Sequence, residues 1–203
     1  MKKIYGILFF ILGTLLLSPQ PLRADLKTGE PAPDFTLTDI HGAAQALSSF
    51  KGKTVVLEWT NYQCPFVVKH YGSGNMQNLQ KSYTGQGVIW LSINSSAEGK
   101  QGHFTPEKWK AELAGNKAAP TAVLLDPDGK VGKTYGAQTT PHMYIIDPQG
   151  NLIYEGAIDD KASTEAGDIA SSKNYVQAAL DESLAGKPVS VSSTKAYGCS
   201  VKY

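Results

Sequence analysis

The feature that constrains this chain most is a buried strand that runs into a cysteine and a proline. Residues 54–60, T-V-V-L-E-W-T, are almost continuously β-branched or apolar, which is typical of a central strand buried on both faces. Cys64 and Pro65 follow, and apolar residues then recur at helical spacing. Because proline suits the first turn of a helix, the sequence predicts a strand-to-helix turn with a thiol at the helix start.

The remaining segments predict an α/β fold. Further strands are predicted within residues 31–42, 88–94 and 121–129, with a hairpin over residues 142–156. Helices are predicted after Pro65, over residues 105–113 and over residues 168–186. Gly72, Ser73 and Gly74 interrupt the first helix, so a break is expected there. This order indicates a central mixed sheet with helices on both faces.

The N-terminal segment has the pattern of a secretory signal peptide. Lys2 and Lys3 precede an apolar run of about 14 residues, and small and polar residues follow up to Ala24. A membrane span needs roughly 20 apolar residues, so cleavage is favoured over an uncleaved anchor. We therefore expect a signal peptide over residues 1–24, a periplasmic or secreted protein, and no stable membrane insertion after cleavage.

What remains after cleavage is long enough for one domain with a sizeable core. We divide it into a domain over residues 25–186 and a C-terminal tail over residues 187–203 that carries Cys199. Cleavage changes the formal net charge from +1 to about −2 and leaves no basic stripe, so nucleic-acid binding has no electrostatic support. Two cysteines in an exported chain favour an oxidising compartment.

Four motifs then give a family resemblance. They are G-E-P-A-P-D-F-T-L near the start, the strand into Cys64-Pro65, T-T-P-H, and I-I-D-P-Q-G-N-L-I-Y in the hairpin. In this order, over roughly residues 28–186, they resemble the thioredoxin-like redoxins of the alkyl hydroperoxide reductase/thiol-specific antioxidant group. N-Y-Q-C-P-F-V-V-K-H and G-C-S-V-K-Y resemble a peroxiredoxin-like subgroup with one active-site cysteine. The resemblance implies a thioredoxin-like fold and redox chemistry at Cys64.

The resemblance also implies which residues surround the thiol. Thr140-Pro141 stands where thioredoxin folds carry a cis-proline beside the redox cysteine, so both residues are expected to contact substrate. Pro65 opens the helix next to the thiol and His142 follows the proline, so both are also expected to contact substrate. Trp59 is expected either to pack in the core or to flank the site.

Glu58 lies six residues before Cys64. Thioredoxins have a buried aspartate at that spacing, which assists proton transfer during disulfide exchange. Because burial raises the pKa of a carboxyl group toward neutral pH, Glu58 is a candidate for the same role. The alternative is a carboxylate that faces solvent or pairs with a lysine.

One departure argues against an ordinary peroxiredoxin. Those enzymes place a threonine three residues before the peroxidatic cysteine and use an arginine to stabilise the thiolate and the peroxide. Here that position is Asn61, and the chain's one arginine, Arg23, lies in the predicted signal peptide. A lysine supplies charge but not the bidentate fork of arginine, so weak peroxidase activity is the most that is expected.

The partner of Cys64 is the open question at this stage. A cysteine at a helix N-terminus has a stabilised thiolate, but Val67 occupies the place of the second cysteine of a Cys-X-X-Cys pair. Cys199 could resolve a mixed disulfide, because about thirteen flexible tail residues can span up to roughly 40 Å. A purely structural disulfide and two unpaired thiols remain alternatives.

We therefore predict a thiol–disulfide oxidoreductase or weak thiol peroxidase with Cys64 as nucleophile, Cys199 as resolving thiol and Glu58 as proton-transfer group. Its substrate would be a disulfide-bearing protein, a small thiol or a peroxide, and no cofactor is expected. The alternative is a non-enzymatic binding module for a protein or a metal, with a structural Cys64–Cys199 disulfide. Cys64, Cys199 and His142 could bind copper or zinc, but no metal site is predicted.

Overall fold

The computed structural model describes residues 26–203, so the predicted signal peptide lies outside the described residues. The described part contains nine strands and five α-helices. In chain order they are β1 (Thr36–Asp39), β2 (Ala44–Ala46), β3 (Val55–Trp59), α1 (Pro65–Gly72), α2 (Asn75–Thr84), β4 (Ile89–Asn94), α3 (Pro106–Asn116), β5 (Ala122–Leu125), α4 (Lys130–Tyr135), β6 (Thr139–Thr140), β7 (His142–Ile146), β8 (Leu152–Gly156), α5 (Tyr175–Leu184) and β9 (Cys199–Ser200).

Seven of the strands form one mixed sheet in the order β2-β1-β5-β4-β3-β7-β8. The central pair β3 and β4 is parallel, and β7 pairs with β3 antiparallel on the other side. Both central strands are buried along their whole length, as their apolar sequences predict. The strand that leads to Cys64 is therefore held on both edges and buried on both faces.

Alternate residues of these strands build one core on each face of the sheet. The larger core contains Val56 and Cys64 and packs residues of α1, α2, α3 and α5 against the sheet. The smaller core contains Leu57 and packs Val131 and Tyr135 of α4. Helices thus lie on both faces, and the predicted α/β thioredoxin-like architecture is confirmed.

The predicted elements are present; two helices differ from the prediction, and the short strands β2, β6 and β9 were not predicted. The helix predicted over residues 168–186 begins only at Tyr175, because the Asn174 side chain accepts a hydrogen bond from the Gln177 backbone and caps the helix there; a 3₁₀ helix over Ala166–Ser171 precedes it. Helix α4 was not predicted, since its six residues are too few to show an apolar period. The expected break after Gly72 separates α1 from α2.

No helix within residues 26–203 is both long enough and apolar enough to span a bilayer.

Candidate functional site

Cys64 stands at the N-terminus of α1, and its side chain is completely buried. Its backbone N–H donates to the Asn61 carbonyl over 2.9 Å, and its own carbonyl accepts from the Val68 N–H over 2.9 Å. Pro65 occupies the first helical position, as predicted. The Cys64 Sγ lies 3.0 Å from the Thr140 carbonyl oxygen and 2.6 Å from the Cys199 Sγ, and none of its surface is exposed.

The C-terminal tail brings Cys199 to this position as a short strand. Strand β9 pairs antiparallel with β6, so that Cys199 lies opposite Thr140 and Ser200 opposite Thr139. Beyond it the Val201 N–H donates to the Gln138 carbonyl over 3.0 Å. Both cysteines are free thiols. Because a disulfide bond needs about 2.05 Å between sulfurs, little movement separates this pair from a bonded one.

The tail is seated on the domain rather than hanging free, which corrects the expectation of a flexible tether. A Cβ atom on Gly198 would lie 2.1 Å from the Thr140 carbonyl oxygen, so only glycine allows the tail backbone this close. Farther along, a Cβ on Gly132 would lie 2.5 Å from the Tyr203 hydroxyl, which donates to the Ala137 carbonyl over 2.6 Å. Close contacts to the domain therefore hold the tail on both sides of Cys199.

The two thiols differ in their affinity for a proton. Burial raises the pKa of Cys64, but hydrogen bonds from the Cys199 thiol and the Val67 backbone N–H outweigh it, and the net pKa of Cys64 lies below its ordinary value. Burial, the hydrogen bond to Cys64 and the negative charge on Cys64 raise the pKa of Cys199 to about 11. Cys64 therefore loses its proton more readily than Cys199 does, and it is the better nucleophile of the pair.

The remaining predicted site residues fall on two sides of the sheet. The Thr140–Pro141 bond is cis, as predicted, and Thr140 lies against Cys64. Trp59 packs in the smaller core, away from Cys64, and its Nε1 donates to Ser95 Oγ over 3.0 Å. His142 stacks on Tyr144 of that same core with ring centroids 4.6 Å apart, and burial lowers its pKa to about 4. Trp59 and His142, which were expected to contact substrate, therefore lie on the face of the sheet opposite Cys64.

Glu58 is fully buried in the larger core and accepts four hydrogen bonds. Its Oε1 accepts from the Tyr71 hydroxyl over 2.7 Å, and its Oε2 accepts from Trp90 Nε1, Ser92 Oγ and Gln80 Nε2 over 2.8, 3.0 and 3.2 Å. Burial outweighs these hydrogen bonds and raises the pKa of Glu58. Among the hydrogen bonds of residues 26–203, none joins Glu58 to Cys64; the Tyr62 ring, two residues before Cys64, contacts Tyr71 instead.

Replacing this carboxyl group should change how stability depends on pH. With its pKa raised in the folded state, Glu58 contributes stability that is complete below its ordinary pKa of 4.5 and is lost as the pH rises through the folded value. Glu58→Gln keeps an acceptor and cannot ionise, so urea unfolding across pH 4.5–8 should show a flatter decline, by up to about 1.4 kcal/mol per pH unit. Glu98→Gln, at an exposed loop position, is the control. Equal slopes in both variants would contradict the prediction.

Sequence reasoning did not anticipate two groups around the site. One is the set of hydrogen-bond donors to Glu58, and the other is a buried charged cluster of Lys69, His70 and Asp159 beside the tail. Lys69 and His70 follow apolar Phe66 and Val67 by helical steps, which is a weak signal for burial. Nothing near Asp159 in the sequence indicates its partners. No three His, Cys, Asp or Glu side chains within residues 26–203 are grouped so as to hold a metal ion.

A thioredoxin-like sheet with a cysteine at the start of a helix beside a cis-proline defines a redoxin. The AhpC/TSA family profile matches residues 28–155, so the chain belongs to the AhpC/TSA family, as the sequence motifs predict. Thiol-disulfide oxidoreductase ResA of Bacillus subtilis (strain 168) is 26% identical over 131 residues, which cover 64% of this chain and 68% of that protein. The predicted enzyme class, a thiol–disulfide oxidoreductase, is the class that this relative's name gives.

Solved structures share the fold of this chain. A hypothetical protein from Sinorhizobium meliloti 1021 superposes with a TM-score of 0.73 at 28% identity, covering 88% of this chain and 95% of that one. A putative thiol:disulfide interchange protein DsbE from Chlorobium tepidum superposes with a TM-score of 0.52 at 25% identity, covering 64% of this chain and 84% of that one. The first match extends over far more of the chain than the family profile does.

Proposed function

We propose that this protein is a thiol–disulfide oxidoreductase in which Cys64 is the nucleophile and Cys199 the resolving thiol. The observation that carries the proposal is the 2.6 Å separation of the two sulfur atoms, with the tail strand paired to Thr139 and Thr140. The difference between the two pKa values supports it, because the pKa of Cys64 is lowered while that of Cys199 is raised to about 11, so Cys64 gives up its proton more readily.

The first step is attack by the Cys64 thiolate on a substrate disulfide. A bond forms between Cys64 and one substrate sulfur, and the other substrate sulfur leaves as a thiolate. Because Cys64 is fully buried when the tail is seated, the tail has to move aside before this step. Thr140, Pro141 and Pro65 are then the residues that line the uncovered thiol, and we propose them as the substrate-binding residues.

The second step is attack by Cys199 on the Cys64 sulfur. The mixed disulfide breaks, a Cys64–Cys199 disulfide forms, and the substrate leaves with its second sulfur reduced. Part of what raises the pKa of Cys199 is the charge on Cys64 and the hydrogen bond to it. Both disappear once Cys64 is bonded to substrate, so Cys199 becomes easier to deprotonate at the stage where it must attack.

The cycle transfers two electrons from the thiol pair to one substrate disulfide. Returning the pair to its reduced form requires an external dithiol, and a dithiol substrate would drive the same steps in reverse. Glu58 is proposed to take part in proton transfer through the core network rather than by contact with the thiol. We further propose export to the periplasm or exterior, which rests on the pattern of residues 1–24.

The test is a single-turnover reaction of the reduced protein with excess oxidised glutathione. Two thiols per chain should disappear, and peptide mapping should find Cys64 joined to Cys199. Glutathione bound stably to Cys64 with Cys199 still reduced would count against the resolving role. Thiols that do not react at all would count against the whole proposal.

Hydrogen peroxide should be a poor substrate. Residues 26–203 contain no arginine, and Asn61 stands at the threonine position, where its Oδ1 accepts from the Gln63 backbone N–H over 2.9 Å. Without a guanidinium to stabilise the developing charge, stopped-flow oxidation of the thiols by peroxide should be slower than their oxidation by a disulfide at equal concentration. Peroxide oxidation at a rate near the diffusion limit would show that the site is a peroxidase.

A further inference from the structure

Lys69, His70 and Asp159 form a buried cluster outside the thiol pair. They are 2%, 0% and 1% exposed, although such groups are almost never fully buried unless paired. Lys69 Nζ lies 3.5 Å and His70 Nε2 3.9 Å from Asp159 Oδ2, and Lys69 also donates to the Lys161 carbonyl over 2.8 Å. The thiol chemistry described above makes no use of this cluster.

Tyr197 of the tail completes the cluster. Its hydroxyl donates to Asp159 Oδ1 and lies 3.3 Å from His70 Nε2. On the other side of the ring, His70 Nδ1 lies 3.0 Å from the Asn75 amide nitrogen. Because that amide donates to Nδ1, the ring proton belongs on Nε2 and faces the Tyr197 oxygen. A continuous chain of hydrogen bonds thus runs from α2 through α1 to the tail and Asp159.

The same tyrosine contacts the helix that carries Cys64. Its ring packs edge-on against Phe66 with centroids 5.8 Å apart, and Lys69 Nζ lies 5.7 Å from its ring centroid. Phe66, Lys69 and His70 are three and four residues apart and therefore share one face of α1. Phe66 is two residues after Cys64, and Tyr197 is two residues before Cys199. The contact therefore joins the chain next to one thiol to the chain next to the other.

We infer that Tyr197, held by Asp159 and His70, is the positioning residue that keeps the tail seated and Cys199 over Cys64. Its part in resolving a mixed disulfide rests on the proposed function, whereas its part in covering Cys64 does not. With the tail seated Cys64 has no exposed surface, so a reagent reaches the thiol only while the tail is released. Tyr197 thus sets how long Cys64 stays covered and how readily Cys199 returns.

Tyr197 can leave Asp159 without leaving a buried charge unpaired. Tyr197 is only partly buried, and a cavity of about 450 Å³ lies beside it, lined by Asp159, Thr194 and Tyr175 among others. Water entering from that side can replace the tyrosine hydroxyl on Asp159, while Lys69 still faces the carboxylate. Release of the tail therefore breaks one charge-assisted hydrogen bond and the ring contacts, and leaves the folded domain intact.

The test measures alkylation of Cys64 by iodoacetamide in a Cys199→Ser background, where Cys64 is the one thiol. Tyr197→Phe removes the hydroxyl but keeps the ring. Tyr83→Phe is the matched control, because the Tyr83 hydroxyl donates to Asp181 over 2.6 Å between α2 and α5, away from the tail. Since a hydrogen bond to a charged group is lost, Tyr197→Phe should speed alkylation about tenfold or more, and Tyr83→Phe should leave it unchanged.

A second measurement uses the chain with both cysteines. Its Cys64–Cys199 disulfide is equilibrated with glutathione, and Tyr197→Phe should weaken that disulfide by the same factor, because Cys199 is presented less often. If Tyr197→Phe leaves the alkylation rate unchanged, or if Tyr83→Phe raises it equally, the proposal that Tyr197 keeps the tail seated is wrong. If the wild type forms no such disulfide, the proposed function fails, while the alkylation result still decides whether Tyr197 covers Cys64.

Discussion

Replacing Cys64 with serine should abolish disulfide exchange, whereas replacing Cys199 with serine should leave the first attack intact and stop the second. In Cys199→Ser the nucleophile and its place at the start of α1 are unchanged, so one substrate sulfur should remain bound to Cys64 in every chain. A serine hydroxyl cannot displace it. Peptide mapping after incubation with oxidised glutathione should show one adduct per chain on Cys64 in Cys199→Ser and little on Cys64 in the wild type, and Cys64→Ser should show no turnover of a substrate disulfide.

A structural disulfide predicts a different pattern for the same two variants. Each would then lose the stability that a native disulfide provides, typically 2–5 kcal/mol, and both would lose it equally. Urea unfolding of the oxidised wild type and of both variants measures this. Equal destabilisation with no adduct on either variant would refute the redox role and favour a binding module whose tail is fixed by the bond.

The part of the site that lies close in sequence could be predicted from the chain alone. The apolar strand β3, the proline after Cys64 and the glycines at the end of α1 each fix local structure through burial or backbone geometry. The position of Thr140-Pro141 followed from the family resemblance rather than from any local pattern. The extent of α5 was overestimated, because the periodic apolar residues do not reveal that Asn174 starts the helix.

The part that depends on the tail could not be predicted. A tail of about thirteen residues before Cys199 has many accessible paths, and neither its composition nor its spacing indicates that Cys199 pairs with Thr140. The seating depends on contacts between residues distant in sequence, such as Tyr197 with Asp159 and Gly198 with Thr140. Glu58 was identified only by its spacing from Cys64, and its four donors come from α1, α2 and β4.

Adding one methyl group at Gly198 should disconnect the two thiols while leaving both in the chain. Gly198 has a φ of +144°, and its Cβ would lie 2.1 Å from the Thr140 carbonyl oxygen, which belongs to the backbone and cannot rotate away. In Gly198→Ala the β6–β9 pairing should therefore be lost and Cys199 displaced. We expect substrate adducts on Cys64 to accumulate as in Cys199→Ser, and the reduced protein to be alkylated at Cys64 at least about fivefold faster, since a lost backbone pairing is worth about 1 kcal/mol or more.

Gly186→Ala is the control that separates the effect of displacing Cys199 from the effect of backbone strain alone. Gly186, the residue immediately before the tail, has a φ of +70°, yet a Cβ there meets no atom within 4 Å. Gly186→Ala therefore introduces the strain of alanine at a positive φ without a clash at the site. This variant should resolve mixed disulfides at close to the wild-type rate. Adducts accumulating equally in both variants would mean that any disturbance of the tail blocks resolution. Resolution at the wild-type rate in Gly198→Ala would mean that Cys199 attacks from the released tail, and the seated strand would then serve to cover Cys64 rather than to deliver its partner.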